Sequence, residues 1–267
     1  MTPQQKIGVF DSGVGGLTVV KALMARLPGE SLVYLGDTAR VPYGTRSAEV
    51  VTRYSLLNAR FLLQHDIKVL VVACNTVSAA SLPVLQAELP IPVVGVIGPG
   101  ALAAAQATRS GRVGVIGTPG TIRSGAYQRA LEQARPGVQV LARACPLFVP
   151  LAEEGWTRGD DEIVLATARR YLGELSQGEI DTLVLGCTHY PLLAAAIGKV
   201  MGPGVALIDS AEATAEAVAA LLSERALLAP QGEGSARYFV TDLPERFSDV
   251  GARFLGRPIG TVEQVDL

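Results

Sequence analysis

The sequence predicts an α/β protein made of two similar parallel-sheet units. Three observations predict it. Short, continuous apolar runs rich in β-branched residues recur along the chain. Longer amphipathic stretches separate them, the pattern of a parallel sheet covered on both faces. A weak internal repeat then pairs the first half with the second.

The elements follow in order. Lys6–Phe10 is apolar and stops at the glycine-rich turn DSGVGG, after which Leu17–Leu27 has helical spacing. Leu32–Leu35 is a second strand, and Ser47–Gln64 an amphipathic helix. Val69–Ala73 leads into CNT and the helix Val77–Leu89; Val93–Val96 follows between prolines and glycines. Arg112–Ile116 and Val138–Ala142 are strands on either side of a helix, Ser124–Arg135. Glu162–Leu175 is helical, Leu183–Leu185 a strand, Leu192–Met201 a helix and Val205–Ile208 a strand. Ser235–Leu267 is more polar and reads as a last strand and helix folded back on the first half.

The repeat lies in the strand ends. Ile7-Gly8-Val9 before DSGVGG resembles Val113-Gly114-Val115 before IGTPG, 106 residues on. LVVACNT, ending at Thr76, resembles LVLGCTH, ending at His189, 113 residues on. Similar offsets in the same order point to two copies of one unit, although buried strands resemble one another in any case.

Composition narrows the partners. Of 267 residues, 49 % are apolar and 18 % charged, with a net charge of −2. Such a chain carries a full core and shows neither the basic balance nor, with 5 % aromatics, the stacking residues of a nucleic-acid binder. Three scattered cysteines, without CxxC or a Cys/His cluster of zinc spacing, indicate neither a disulfide framework nor a metal site. The charge-free stretch Leu89–Thr108 is broken by prolines and glycines and is not a membrane span. With no cationic and apolar leader at the start, a soluble cytoplasmic protein is expected.

In open α/β sheets ligands bind beyond the carboxyl ends of the strands. Small polar residues stand there in four segments: Asp11-Ser12-Gly13, Cys74-Asn75-Thr76, Gly117-Thr118 and Cys187-Thr188-His189. Helix N-termini at those points offer free N–H groups to a carboxylate. Helix capping alone also explains Asn75, Thr76 and Thr188. Cys145, before Pro146, reads as an inert buried thiol. Cys74 and Cys187 each close a strand and open a helix, a setting expected to lower a thiol pKa. As a matched pair in facing units, they can flank one small ligand. Opposed thiols suit inversion of a carbon centre: one removes a proton from one face, and the other delivers a proton to the opposite face. Asp11 and His189 are candidates to tune them, against the simpler reading of a structural histidine. Glu153 and Glu154 lie in PLAEEGW, read as a loop. The run SGVGGLT lacks the last glycine of a dinucleotide fingerprint, and no P-loop occurs.

These motifs have a family likeness. FDSGVGGL (10–17), GDTAR (36–40) with Pro42-Tyr43-Gly44, ACNT (73–76), GCTHYPLL (186–193) and Ile208-Asp209-Ser210 resemble the glutamate racemases of the cofactor-independent aspartate/glutamate racemase superfamily. The likeness spans the chain. It implies two domains related by pseudo-two-fold symmetry: 1–98 with 210–267, carrying Asp11 and Cys74, and 99–209, carrying Glu153, Cys187 and His189. It implies interconversion of L- and D-glutamate by Cys74 and Cys187, supplying D-glutamate to peptidoglycan. Asp11 would partner the first cysteine, and His189, assisted by Glu153, the second. Substrate contacts would come from Asp11, Ser12, Tyr43, Gly44, Asn75, Thr76, Thr118, Thr188 and His189. No cofactor or metal is implied, and a homodimer is. A related amino-acid racemase, a non-catalytic ligand-binding protein and a redox role for the cysteines are the competing readings.

Overall fold

A computed structural model describes residues 1–230 and 232–267. In chain order the elements are β1 (Lys6–Asp11), α1 (Leu17–Arg26), β2 (Leu32–Gly36), α2 (Ala48–Leu63), β3 (Ile67–Val72), α3 (Asn75–Glu88), β4 (Val93–Gly95) and α4 (Ile97–Ala107). Then come β5 (Arg112–Gly117), α5 (Pro119–Ser124), α6 (Ala126–Ala134), β6 (Gln139–Ala144), α7 (Phe148–Glu153), α8 (Glu162–Gln177), β7 (Thr182–Gly186), α9 (Ala194–Met201) and β8 (Ala206–Asp209). The chain ends with α10 (Ser210–Glu224), β9 (Ala236–Val240), α11 (Pro244–Leu255) and β10 (Val262–Gln264). Among the described residues, no helix is long and apolar enough to cross a membrane.

The strands form two sheets, in the orders β10-β9-β2-β1-β3-β4 and β6-β5-β7-β8. Every pairing is parallel. The order β2-β1-β3-β4 in the first sheet is matched by β6-β5-β7-β8 in the second. The repeat read from strand ends is therefore a repeat of topology: β1 corresponds to β5 and β3 to β7. Cys74 and Cys187 follow those last two equivalent strands. The polar tail adds β9, α11 and a further short strand, β10, to the first sheet.

Strand alternation divides the core. Ile7, Val9, Tyr34, Val69 and Val71 of the first sheet, and Ile116, Leu183 and Leu185 of the second, belong to one continuous core with α1, α8 and α10. Their neighbours Phe10, Val33, Leu70 and Val72 pack on the opposite face of the first sheet with α2 and α3. Val113, Val115 and Val184 do the same on the second sheet with α4 and α6. Strands buried on both faces explain the unbroken apolar runs. Cys187 borders the shared core and Cys74 the outer core of the first sheet.

Lys68, within β3, is fully buried and lies 2.6 Å from Glu30. Its ammonium donates to the carbonyls of Pro3 (2.7 Å) and Leu227 (2.8 Å), while the Ala229 N–H donates to Glu30 Oε1 (2.7 Å). This cluster pins the amino-terminal segment and the chain after α10 under the first sheet. Lys68→Met should strand the Glu30 carboxylate and destabilise the fold by about 3–5 kcal/mol. A urea midpoint that stays at the wild-type value refutes this.

Candidate active site

Four strand ends supply the polar residues, two from each sheet. Asp11 closes β1 and is buried; the Gly13 N–H donates to its Oδ2 at 3.1 Å. Its other oxygen, Oδ1, is buried without a hydrogen-bond partner among the described residues. Burial raises the Asp11 pKa, opposed by the charge of His189 and by the N–H groups of Gly16, Gly13 and Ser12.

Cys74 precedes α3 and takes its N-cap position. Its thiol lies 3.6 Å from the Ser12 hydroxyl. The helix start was expected to lower this thiol's pKa, but the pKa is pushed up to about 12. Burial dominates and the Asp11 charge adds to it, outweighing the Val77 N–H and the Ser12 hydroxyl.

Cys187 follows β7, and the turn after it is a 3-10 turn, Tyr190–Leu193, which precedes α9 rather than an immediate α-helix. Its sulfur is 3.9 Å from His189 Nδ1, and the Thr188 hydroxyl lies 3.4 Å from the same nitrogen. His189 Nε2 is 2.9 Å from Glu153 Oε1. Burial disfavours the imidazolium, yet hydrogen bonds to Cys187 and Glu153 bring its pKa up to about 10. Glu153 is held below the usual carboxylate range by the same hydrogen bond. The sequence suggests a loop at Glu153, but it is the last residue of the short helix α7. That helix fixes which of the two adjacent glutamates reaches His189.

The remaining predicted residues lie at these rims. The hydroxyls of Thr76 and Thr118 are 2.9 Å apart, and Thr121, which the sequence did not single out, joins them at 3.4 and 3.1 Å. Thr118 and Thr121 follow β5, whereas Thr76 follows β3, so this cluster bridges the sheets. Asn75 accepts from the buried Tyr127 hydroxyl (2.7 Å), and its Nδ2 is buried without a partner among the described residues. The Tyr43 hydroxyl bonds to Asp37 and accepts from Asn58 (3.3 Å). That commitment leaves backbone as the part of Tyr43-Gly44 turned towards the other sheet. Gly44 sits so close to Thr118 that a Cβ on it would meet the threonine Cβ at 2.8 Å. At Gly15 the crowding is greater: a Cβ would lie 2.2 Å from Thr188 Oγ1 and 2.5 Å from His189 Nδ1. Cys145 is buried, its sulfur 3.7 Å from the Arg143 carbonyl. All three cysteines are free thiols.

The arrangement is two stations, a thiol beside a buried carboxyl on one sheet and a thiol–imidazole–carboxylate chain on the other. Hydroxyl and amide groups line the rims between them. Comparisons with known proteins identify the family. The Asp/Glu/Hydantoin racemase family model matches residues 17–218. A glutamate racemase of Geobacter metallireducens is 60 % identical over 99 % of this chain and 98 % of its own. The crystal structure of a glutamate racemase isoform of Bacillus anthracis superposes with a TM-score of 0.95 at 44 % identity, covering 99 % of this chain and 98 % of that one. A glutamate racemase of Francisella tularensis, solved with D-glutamate, has a TM-score of 0.92 at 38 % identity, covering 99 % and 98 %. The chain thus belongs to the glutamate racemases, within the Asp/Glu/hydantoin racemase family.

Proposed function

We propose that this protein interconverts L- and D-glutamate by transferring protons between Cys74, Cys187 and the substrate Cα, without pyridoxal phosphate. The observation that carries this reading is the placement of two free thiols after equivalent strands of two like-ordered sheets, each with its own acid–base partner. The D-glutamate complex of a relative supports the substrate. We propose the domains as 1–98 with 210–267 and 99–209, one station on each. A homodimer and a place in the supply of D-glutamate for peptidoglycan belong to the same proposal.

The two orphaned atoms set the substrate's orientation. The free Asp11 Oδ1 is an acceptor suited to the α-ammonium, and the free Asn75 Nδ2 a donor suited to a carboxylate. Thr76, Thr118, Thr188, Ser12 and nearby N–H groups bind the carboxylates, a rim of hydroxyls and amides in place of an arginine clamp. Residues Tyr43 and Gly44 contribute backbone.

The chemistry is a two-base exchange. One thiolate takes the Cα proton and becomes a thiol. The electron pair left on Cα is delocalised into the adjacent carboxylate. The opposite thiol gives its proton to the other face and becomes a thiolate. The product has inverted configuration, and the stations have exchanged protonation states. Protonated His189 stabilises the Cys187 thiolate, while Glu153 holds the ring. Cys74, with its high pKa, rests as the donor thiol in that direction. In the reverse direction Asp11 is the group placed to draw the Cys74 proton.

Circular dichroism of L-glutamate incubated with the protein alone tests the reading; persistence of the signal would refute it. In D2O the product should carry deuterium at Cα. Cys74→Ser and Cys187→Ser should each lower kcat by more than a hundredfold at unchanged fold, because an alcohol is a far weaker acid than a thiol. Near-normal turnover in either variant would sink the two-thiol mechanism.

The raised His189 pKa also sets a pH dependence. A folded-state pKa above the ordinary value stabilises the fold fully below about pH 6.5 and loses that contribution as pH rises through about 10. Glu153→Gln removes one cause of the shift. The melting temperature of the wild type should exceed that of Glu153→Gln most between about pH 5 and 6.5, with the gap closing towards pH 10. A gap that widens with pH contradicts this assignment.

A further inference from the structure

The Glu153–His189 pair sits on the second sheet's side, yet α11, which packs with the first, reaches it. Arg253 Nη1 of α11 donates to the Glu153 carbonyl at 2.6 Å. That carbonyl is at the end of α7, where no further turn of helix supplies a donor. Gly155 ends the segment at φ +79°, and a Cβ there would meet the Arg253 guanidinium at 3.0 Å, so glycine leaves room for the guanidinium against the backbone. One residue on, buried Phe254 sets its ring edge-on to His189, with centroids 5.0 Å apart and planes at 77°. The same helix is braced on the Asp11 side, since Gly251 is in close contact with Leu17 and Val14.

We propose that Arg253 is a positioning residue for proton transfer: by holding the Glu153 carbonyl from α11, it sets the Glu153 carboxylate against His189 while Phe254 sets the ring. This rests on the racemase reading for its catalytic consequence, but the clasp has a consequence of its own. Glu153 and Cys187 hydrogen-bond to the imidazole, the Asp11 charge lies across the site, and Arg246 lies near Glu153. A slackened clasp lengthens the Glu153–His189 contact and weakens the hold on the imidazolium.

The test uses the full-length protein, with Arg253→Ala and Arg253→Lys measured beside the wild type. The chain has two histidines, so the His189 imidazole can be followed by NMR through a pH titration, with or without turnover. In Arg253→Ala the His189 midpoint should move down from about 10. A displaced reacting group should reduce kcat about tenfold, with KM little changed. The enantiomers have equal free energy, so kcat/KM must fall equally for L- and D-glutamate. Arg253→Lys should recover most of both readouts. Should Arg253→Ala fail to fold, Arg253→Met keeps the aliphatic stem while removing the donor and should shift the same titration. An unmoved His189 midpoint, or a loss confined to KM, overturns the proposal. A wild type without racemase activity would overturn the functional reading instead, and the titration would still decide the clasp.

Discussion

Two polar rims, one from each sheet, must approach with no side chain between them. Gly15 meets this requirement against Thr188 and His189, and Gly44 against Thr118. A methyl group at Gly15 would overlap both neighbours and force the rims apart. Hydrogen-bond networks then fix the approach. Asp37 is fully buried and bonded to Tyr43, Arg40 and Thr241, which holds the loop carrying Gly44. The active-site geometry follows from this meeting of turns rather than from any single catalytic residue.

Burial makes the two stations unlike. At Cys74 it prevails, raising the thiol to about 12 beside an Asp11 that is also raised. At His189 two hydrogen bonds overcome it, and the imidazole is charged at neutral pH. A pair of like cysteines in like topological positions thus meets two different electrostatic settings. One side favours a proton-bearing sulfur and the other a proton-bearing ring. The proton exchange proposed above would start from this difference.

Much of this was legible in the sequence because parallel strands buried on both faces leave unbroken apolar runs, and their polar ends stand out against them. The repeat linking Cys74 to Cys187 corresponds to a matching strand order. The Cys74 pKa was misread because a helix start is a local signal, whereas burial depends on the whole packed site. Glu153 was placed in a loop because α7 is only six residues long, too short to show a period, and contains Pro150. Thr121, Tyr127, Arg253 and Phe254 carried no signal: their roles arise from contacts such as Tyr127 to Asn75 and Arg253 to Glu153, which join distant parts of the chain.

The hydroxyls of Thr76, Thr118 and Thr121 already satisfy one another. A carboxylate bound there, as proposed, would exchange partners instead of gaining unopposed ones, and its net grip would be modest. Weak holding suits a catalyst that accepts both mirror images and must release each, since affinity common to the bound and activated forms adds nothing to turnover.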